Sequence, residues 1–140
     1  RTLEGRFLMP PDRVERLASK LREHFADAWI EGFEHLIPEL TNDKKDRHVL
    51  AAAAYAKAPL LVTYNLRHFP IAATAPWRVR AIGPSGFLKE LYAAEPETVL
   101  QVLREQASDI GRNLPTQLRV LHKAVPAFVE FVCQETGTVL

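Results

Sequence analysis

Three polar residues flank a short apolar stretch near the middle of the chain, and they are the first candidates for chemistry. Asp43 and Asp46 precede an alanine-rich segment that is predicted to be a helix, and Asn65 follows the apolar run 60–64, predicted to be a buried strand. A helix of about 12 residues and a strand of about five residues both span roughly 18 Å. If they pack antiparallel, Asp46 and Asn65 meet at one edge of the sheet. Because ligands of open α/β sheets bind beyond the carboxyl ends of the strands, we expect a site there.

The spacing of the two aspartates has two interpretations. In the first, Asp43 caps the helix by accepting hydrogen bonds from the first turn, and Asp46 reaches back toward the cap. In the second, Asp46 and Asp43 are oxygen ligands of a divalent cation, which typically takes one or two carboxylates and completes its octahedron with water. The sequence shows no full set of converging carboxylates. Asp46 with the neutral amide of Asn65 therefore makes a weak magnesium site by itself.

Positive charge is concentrated around these residues. Residues 41–80 carry seven basic and two acidic side chains, a net charge of +5, whereas residues 1–40 and residues 81–140 each have a net charge of −2. Four of the basic side chains lie close to the predicted site in sequence: Lys44, Lys45, Arg47 and Arg67. Such a surface suits a phosphate-bearing partner. An ordinary solvated face has the same composition, so both interpretations remain.

Composition indicates one globular domain of 140 residues, with 47% hydrophobic and 25% charged residues. No apolar run approaches the roughly 20 residues of a membrane span, and no signal peptide is visible. Cys133 is the single cysteine, which excludes an internal disulfide and is typical of a reducing compartment. We therefore expect a cytoplasmic protein without a membrane partner, in which Cys133 is a small core residue and not a nucleophile.

The remaining pattern predicts helices around a small sheet. The central helix extends from about Asp46 to Lys57, and Pro59 ends it. A very short edge strand is predicted at 28–30, a loop at 71–76 and an edge strand at 77–82. Thr116 is predicted to cap one of the later helices. The other predicted helices, from periodic apolar residues and prolines in first turns, are at about 11–25, 87–93, 96–111, 116–124 and 126–134.

Two motifs of the central stretch resemble a known family. The residues DRHVLAAA at 46–53, followed by LVTYNL at 61–66 and by Phe69-Pro70, are similar to the second half of a PIN domain, and most closely to its VapC-like branch. The similarity extends over most of the 140 residues, with the central motif more specific than the flanks. It implies a three-layer α/β/α fold with a parallel sheet. The PIN-like α/β region would cover residues 1–95, and a helical extension packed on it would cover residues 96–140.

The same resemblance implies a function. PIN domains of this branch are typically Mg²⁺- or Mn²⁺-dependent ribonucleases, and many are toxins neutralised by an antitoxin protein. By motif position, Asp46 matches an acidic metal ligand and Asn65 matches the last position of the catalytic set. Asp43 is a further candidate ligand. The basic residues Lys44, Lys45, Arg47 and Arg67 would contact the phosphates of an RNA substrate.

The chain departs from the family pattern in two places. The family's opening strand, which carries its first catalytic Asp, has no counterpart, because Arg1 would align just after the helix that follows it. His68 stands where this branch usually has Asp. We therefore expect the C-terminal portion of a PIN ribonuclease that is a poor nuclease alone and is completed by another chain or by homo-oligomerisation. The alternative is a catalytically inactive PIN-like binding or oligomerisation module.

Overall fold

The computed structural model describes residues 10–140, which form mostly helices around one two-stranded parallel sheet. Short 3₁₀ turns lie at Ala26–Ala28, Glu34–Glu39, Lys44–Asp46, Leu66–His68 and Ala75–Trp77. The helices and strands, numbered in chain order, are α1 Pro11–His24, α2 Arg47–Tyr55, β1 Leu60–Val62, α3 Ile71–Thr74, β2 Arg80–Ile82, α4 Pro84–Ala94, α5 Pro96–Asp109, α6 Leu114–His122 and α7 Pro126–Thr136.

Helix α2 and strand β1 form the part of the fold that positions the predicted site. Three residues of α2 are buried, and two of them are alanines, so the helix can approach its neighbours closely. The chain reverses after α2 at Lys57, which has a left-handed φ of 54°, and Ala58 N–H then donates to the carbonyl of Ala53 at 2.9 Å. Leu61 of β1 lies in the same buried cluster as α2. The reversal sends β1 back along α2, which is the condition that the predicted site needs, although the two elements are shorter than predicted, at nine and three residues.

The sheet pairs β1 with β2 in parallel, with Leu60 opposite Arg80 and Val62 opposite Ile82. Arg80 N–H donates to the carbonyl of Pro59, and Thr63 N–H donates to the carbonyl of Ile82, both at 2.9 Å. In this register the odd-numbered residues of β1 face β2, so the N–H and C=O groups of Leu60 and Val62 point to the opposite edge. No strand among residues 10–140 pairs with that edge.

Two hydrophobic clusters stabilise the fold. The first surrounds α2 and β1 and contains Leu40, Leu50, Ala51, Ala53, Leu61, Phe69 and Val79. The second lies among α4 to α7 and contains Tyr92, Leu100, Leu103, Leu118, Val125, Phe128, Val129 and Val132. Polar contacts connect the two clusters. The Tyr64 hydroxyl donates to the carbonyl of Ala124 at 3.1 Å, and Arg80 forms a bidentate ion pair with Glu90. The hydrogen bond from Arg80 holds the pKa of Glu90 below its ordinary value.

Helix α1 has a different environment. Its polar and apolar residues segregate to opposite faces, yet none of its residues is buried. Leu17 and Leu21 on its apolar face remain partly exposed, and Arg22 stacks over the Trp29 ring at 4.5 Å. No described helix is long and apolar enough to cross a membrane.

The structure confirms the coarse α/β class with a parallel sheet and corrects several boundaries. The predicted strand 60–64 is limited to 60–62 and the predicted strand 77–82 to 80–82, because residues pair only where the two strands overlap. The edge strand predicted at 28–30 was wrong, since a 3₁₀ turn ends at Ala28. The loop predicted at 71–76 contains α3 and another turn. Asn113, not Thr116, caps α6, with its side chain accepting from Thr116 N–H.

The unpaired edge of β1 leads to a testable expectation about association. An uncovered strand edge is a template for pairing with another chain, so we expect the protein to self-associate at micromolar concentration. Val62→Pro removes an N–H that faces the open edge and spares the N–H groups bonded to β2. We expect this variant to shift sedimentation toward the monomer. Val62→Ala keeps the N–H and should behave like the wild type; a wild type that is monomeric in this range would contradict the expectation.

Candidate functional site

The predicted site lies where the turn before α2 approaches the turn after β1. The first turn, Lys44–Asp46, runs directly into α2, and the second, Leu66–His68, begins just after Asn65. Phe69, which ends the second turn, is buried in the same cluster as α2. Burial of Phe69 therefore fixes the second turn against the beginning of α2.

Asp46 makes its side-chain contact with this second turn. Asp46 Oδ2 lies 2.6 Å from His68 Nδ1. Among the described residues, the Asp46 side chain makes no other hydrogen bond or ion pair. Asp46 occupies the N-cap position of α2, but its side chain makes no capping hydrogen bond. The capping interpretation is therefore wrong for Asp46, because His68 competes successfully for its carboxylate.

Asp43 does act as a cap. Its Oδ1 accepts a hydrogen bond from Lys45 N–H at 2.9 Å, at the start of the 3₁₀ turn. Its Oδ2 lies 3.8 Å from His68 Nε2, and its N–H donates to the carbonyl of His68 at 3.3 Å. The two predicted aspartates thus approach opposite nitrogens of one imidazole ring.

Asn65 lies at the start of the second turn and is exposed. Its N–H donates to Thr63 Oγ1 at 3.0 Å, and its carbonyl accepts from His68 N–H at 2.9 Å. The structure therefore brings the beginning of α2 and the turn that starts at Asn65 together through His68. Direct approach of the Asn65 amide to Asp46 stays a prediction.

The four predicted phosphate contacts have different environments. Lys44, Lys45 and Arg67 are exposed, and no ion pair engages them within residues 10–140. Arg47 is half-buried, and its Nε donates to the carbonyl of Asn42 at 2.9 Å. Arg47 therefore holds the loop before α2, while the other three side chains extend into solvent beside the site.

Sequence reasoning did not assign a role to two residues at this site. His68 was noted only as a departure from a family pattern, although an imidazole 22 residues after an aspartate at the same sheet edge is a signal that could have paired them. Asn42 is 2% exposed, and neither atom of its amide has a hydrogen-bond partner among the described residues. A buried amide without a hydrogen-bond partner lowers folding stability by about 1–3 kcal/mol. No sequence pattern predicts such an amide.

The donors present fit a divalent cation only in part. No group of three or more His, Cys, Asp or Glu side chains within the described part of the chain is arranged to hold a metal ion. Asp46 has one oxygen bound to His68, and its Oδ1 is not engaged by another described side chain. Because Mg²⁺ keeps several water ligands and is often held by one or two carboxylates, Asp46 suits the role of one ligand in a larger set.

Other candidate features lie away from this site. A cavity of about 480 Å³ is lined by mostly apolar residues of α4 to α7 and by none of the predicted site residues. Cys133 packs against the second hydrophobic cluster, and burial raises the pKa of its thiol. A raised thiol pKa leaves little thiolate at neutral pH. Cys133 is thus partly buried at the edge of the core in which the sequence predicts it.

Comparison with known proteins adds one relative. No family model matches the chain, and no solved structure matches it. A protein of Mycobacterium tuberculosis (strain ATCC 25618 / H37Rv) named "Putative ribonuclease VapC50" is 36% identical over an alignment of 104 residues that covers 72% of this chain. The aligned region spans 62% of that protein's length, less than two thirds. The chain is thus similar to that protein over most of its own length.

Proposed function

We propose that this chain carries part of the active site of a VapC-like PIN-domain endoribonuclease. Two findings support the proposal: the 36% identity to a protein named as a ribonuclease, and the contact between Asp46 and the turn after β1. The contact is the observation that carries it, because it unites the two sequence motifs at the carboxyl end of a parallel strand, where α/β proteins bind ligands.

In this proposal Asp46 is a ligand of Mg²⁺ or Mn²⁺, directly or through water, and Asn65 orients a water or a ligand. Asp43 is a second candidate ligand. The cation, when bound, would supply Lewis acidity next to a scissile phosphate. The chain's own residues would bind and orient the RNA, with Lys44, Lys45 and Arg67 pairing with phosphates near the site.

We also propose an antitoxin protein as a regulatory partner, by resemblance to the VapC-like branch. The basic surface beside Asp46 would then serve two acidic or phosphate-bearing partners in turn. In this view the protein is the toxin of a toxin-antitoxin pair.

The basic residues lead to a prediction about binding. Replacing both Lys44 and Lys45 with Ala should weaken binding to single-stranded RNA and lower the slope of log affinity against log salt by about 0.7 per lost phosphate contact. Lys20→Ala combined with Lys123→Ala removes the same charge from exposed positions elsewhere and serves as the control. Fluorescence anisotropy at several salt concentrations measures both. Equal losses in the two double variants would contradict a localised RNA surface.

The proposed activity is tested by incubating a labelled RNA with the protein in the presence of Mg²⁺, Mn²⁺ or EDTA and measuring how much RNA is cleaved. We expect little cleavage by the 140-residue chain, whose described part holds no three-ligand cluster, and cation-dependent internal cleavage by an extended version in which the chain is joined to the part of the related protein that lies outside the match. An extended version that folds, binds the cations and leaves RNA intact would contradict the nuclease proposal.

A second candidate function is a PIN-like binding module without catalysis. The observation that favours it is the engagement of Asp46 by His68, together with the lack of a three-ligand cluster within residues 10–140. The two functions differ in one result. A binding module would retain RNA without cutting it, at every cation concentration and in the extended version as well.

A further inference from the structure

His68 contacts each of the three residues that the sequence nominates for the site. Its Nδ1 lies 2.6 Å from Asp46 Oδ2. Its Nε2 lies 3.8 Å from Asp43 Oδ2, and its carbonyl accepts from Asp43 N–H at 3.3 Å. Its own N–H donates to the carbonyl of Asn65 at 2.9 Å. No other described residue makes hydrogen bonds or ion pairs to all three.

The short contact also allows a proton to be assigned. Because an ionised carboxylate oxygen only accepts hydrogen bonds, we assign His68 Nδ1 as the protonated donor of the 2.6 Å contact. Donation to Oδ2 sets the rotation of the Asp46 carboxylate. It leaves Oδ1, which no other described side chain engages, as the oxygen available to a ligand.

We propose that His68 is a positioning residue of this site, which orients Asp46 through Oδ2 and ties the Asn65 turn to the beginning of α2. This role of His68 rests on the proposed function, because it matters only if Asp46 binds a cation. The contact between His68 and Asp46 can be tested without any cation. A ligating carboxylate is usually held by a hydrogen bond from a neighbouring group, and loss of such a partner typically weakens metal binding. His68 supplies that hydrogen bond with the ring and fixes the backbone of both turns at the same time.

A purely structural role is the competing explanation. The side chains of His68 and Asp46 are 28% and 21% exposed, so both are partly in water. Contacts between partly exposed groups contribute little to folding stability. A structural role would be filled by any residue that packs there, whereas a positioning role requires a donor at one defined atom. Conservative substitutions separate the two.

The chain offers matched substitutions for this purpose. In His68→Asn the side-chain amide nitrogen falls at the place of Nδ1 and can still donate to Asp46. In His68→Gln the amide nitrogen falls at the place of Nε2, toward Asp43. His68→Ala removes both donors. Each variant is prepared as the 140-residue chain, and thermal unfolding verifies that it is folded.

The first measurement uses NMR without any cation or RNA. Long-range ¹H–¹⁵N spectra of the wild type, at a pH where the ring is neutral, should show the proton of His68 on Nδ1, and Asp46→Asn should change that signal. The backbone amide signals of Asp43, Asp46 and Asn65 should stay near their wild-type positions in His68→Asn. They should move in His68→Ala and in His68→Gln.

The second measurement is Mn²⁺ binding to the extended version of each variant, followed by electron paramagnetic resonance. We expect His68→Ala to weaken binding by about 10–100-fold, and His68→Asn to restore most of the affinity. His68→Gln should resemble His68→Ala. This readout reports on the cation directly and does not depend on RNA cleavage.

The outcomes separate this inference from the proposed function. A neutral ring protonated on Nε2 alone, wild-type amide signals in His68→Ala, or equal damage in His68→Asn and His68→Ala would overturn the role of His68. If the extended wild type binds no Mn²⁺ while the NMR results are as expected, the cation-dependent function fails and the positioning of Asp46 by His68 stands.

Discussion

Asp46→Asn is expected to abolish RNA cleavage by the extended version of the protein, with a loss of about 100-fold or more. The substitution keeps the size of the side chain but removes the negative charge that a divalent cation requires. Cations in such sites stabilise the transition state by several kcal/mol, and about 2.7 kcal/mol corresponds to 100-fold in rate. Cleavage of a labelled RNA at saturating Mg²⁺ measures the effect. In the 140-residue chain the same substitution should change little.

Asp27→Asn is the matched control for this prediction. Asp27 lies in the exposed 3₁₀ turn Ala26–Ala28, and its replacement removes the same charge away from the site. We expect the extended Asp27→Asn variant to cleave RNA at the wild-type rate. Robust Mg²⁺-dependent cleavage by residues 1–140, or full activity in the extended Asp46→Asn variant, would contradict the role assigned to Asp46.

Much of the central fold follows from local sequence signals. The alanine run predicts a helix that can pack closely, and the apolar run after Pro59 predicts a strand, so α2 and β1 appear near their predicted positions. Prolines at the first turns of α5 and α7 mark helix starts because Pro has a fixed φ and lacks an N–H that those positions leave unbonded. Such signals act over a few residues, and they are visible in one sequence.

The features that the sequence did not reveal depend on distant partners. Strand length depends on where β1 and β2 overlap, since a residue counts as a strand only where another strand bonds to it. Helix α3 is a single turn at Ile71–Thr74, which carries too few residues for an apolar period to stand out. The residues 28–30 have an apolar composition typical of a strand, but no described strand lies beside them.

The sequence predicts that Asp46 lies near the turn after β1, but it does not predict the hydrogen bond to His68. The sequence predicts that Asp46 and the turn after β1 share an edge if the helix and the strand pack antiparallel, and the contact with His68 connects them. Sequence alone gave Asp46 two possible partners, the helix cap or a cation. The structure adds a third, because the imidazole of His68, at the end of the neighbouring turn, lies 2.6 Å from the Asp46 carboxylate. The buried Asn42 amide likewise depends on tertiary packing that no local pattern encodes.

The engagement of Asp46 bears on both candidate functions. A nuclease needs Asp46 available to a cation, and the unengaged Oδ1 leaves that possibility open. A binding module needs no cation, and the His68 contact would then serve to hold the turn before α2 against the turn after β1. The substitutions at His68 and at Asp46 therefore both test whether Asp46 binds a cation, because each removes one partner of the same hydrogen bond.

Phe128→Ala is expected to lower the free energy of unfolding by about 3–5 kcal/mol. Phe128 is 1% exposed and is one of the largest fully buried side chains, in the cluster formed by α4 to α7. Its removal loses apolar burial and leaves a cavity that surrounding helices fill only partly. Phe25→Ala makes the same deletion at a side chain that is 60% exposed, so it serves as the control with an expected loss well below that of Phe128→Ala.

The same substitution tests whether the two hydrophobic clusters unfold together. Trp77 packs against the cluster around α2 and β1, so its fluorescence in a Trp29→Phe background reports on that cluster, while far-ultraviolet circular dichroism is dominated by helices. The polar contacts between the clusters are few, and the Arg80–Glu90 ion pair is exposed at both partners and adds little. We therefore expect Phe128→Ala to lower the urea midpoint seen by circular dichroism more than the midpoint seen by Trp77. Equal shifts by both probes would mean that the clusters form one cooperative unit, and a loss no larger than that of Phe25→Ala would contradict the burial of Phe128.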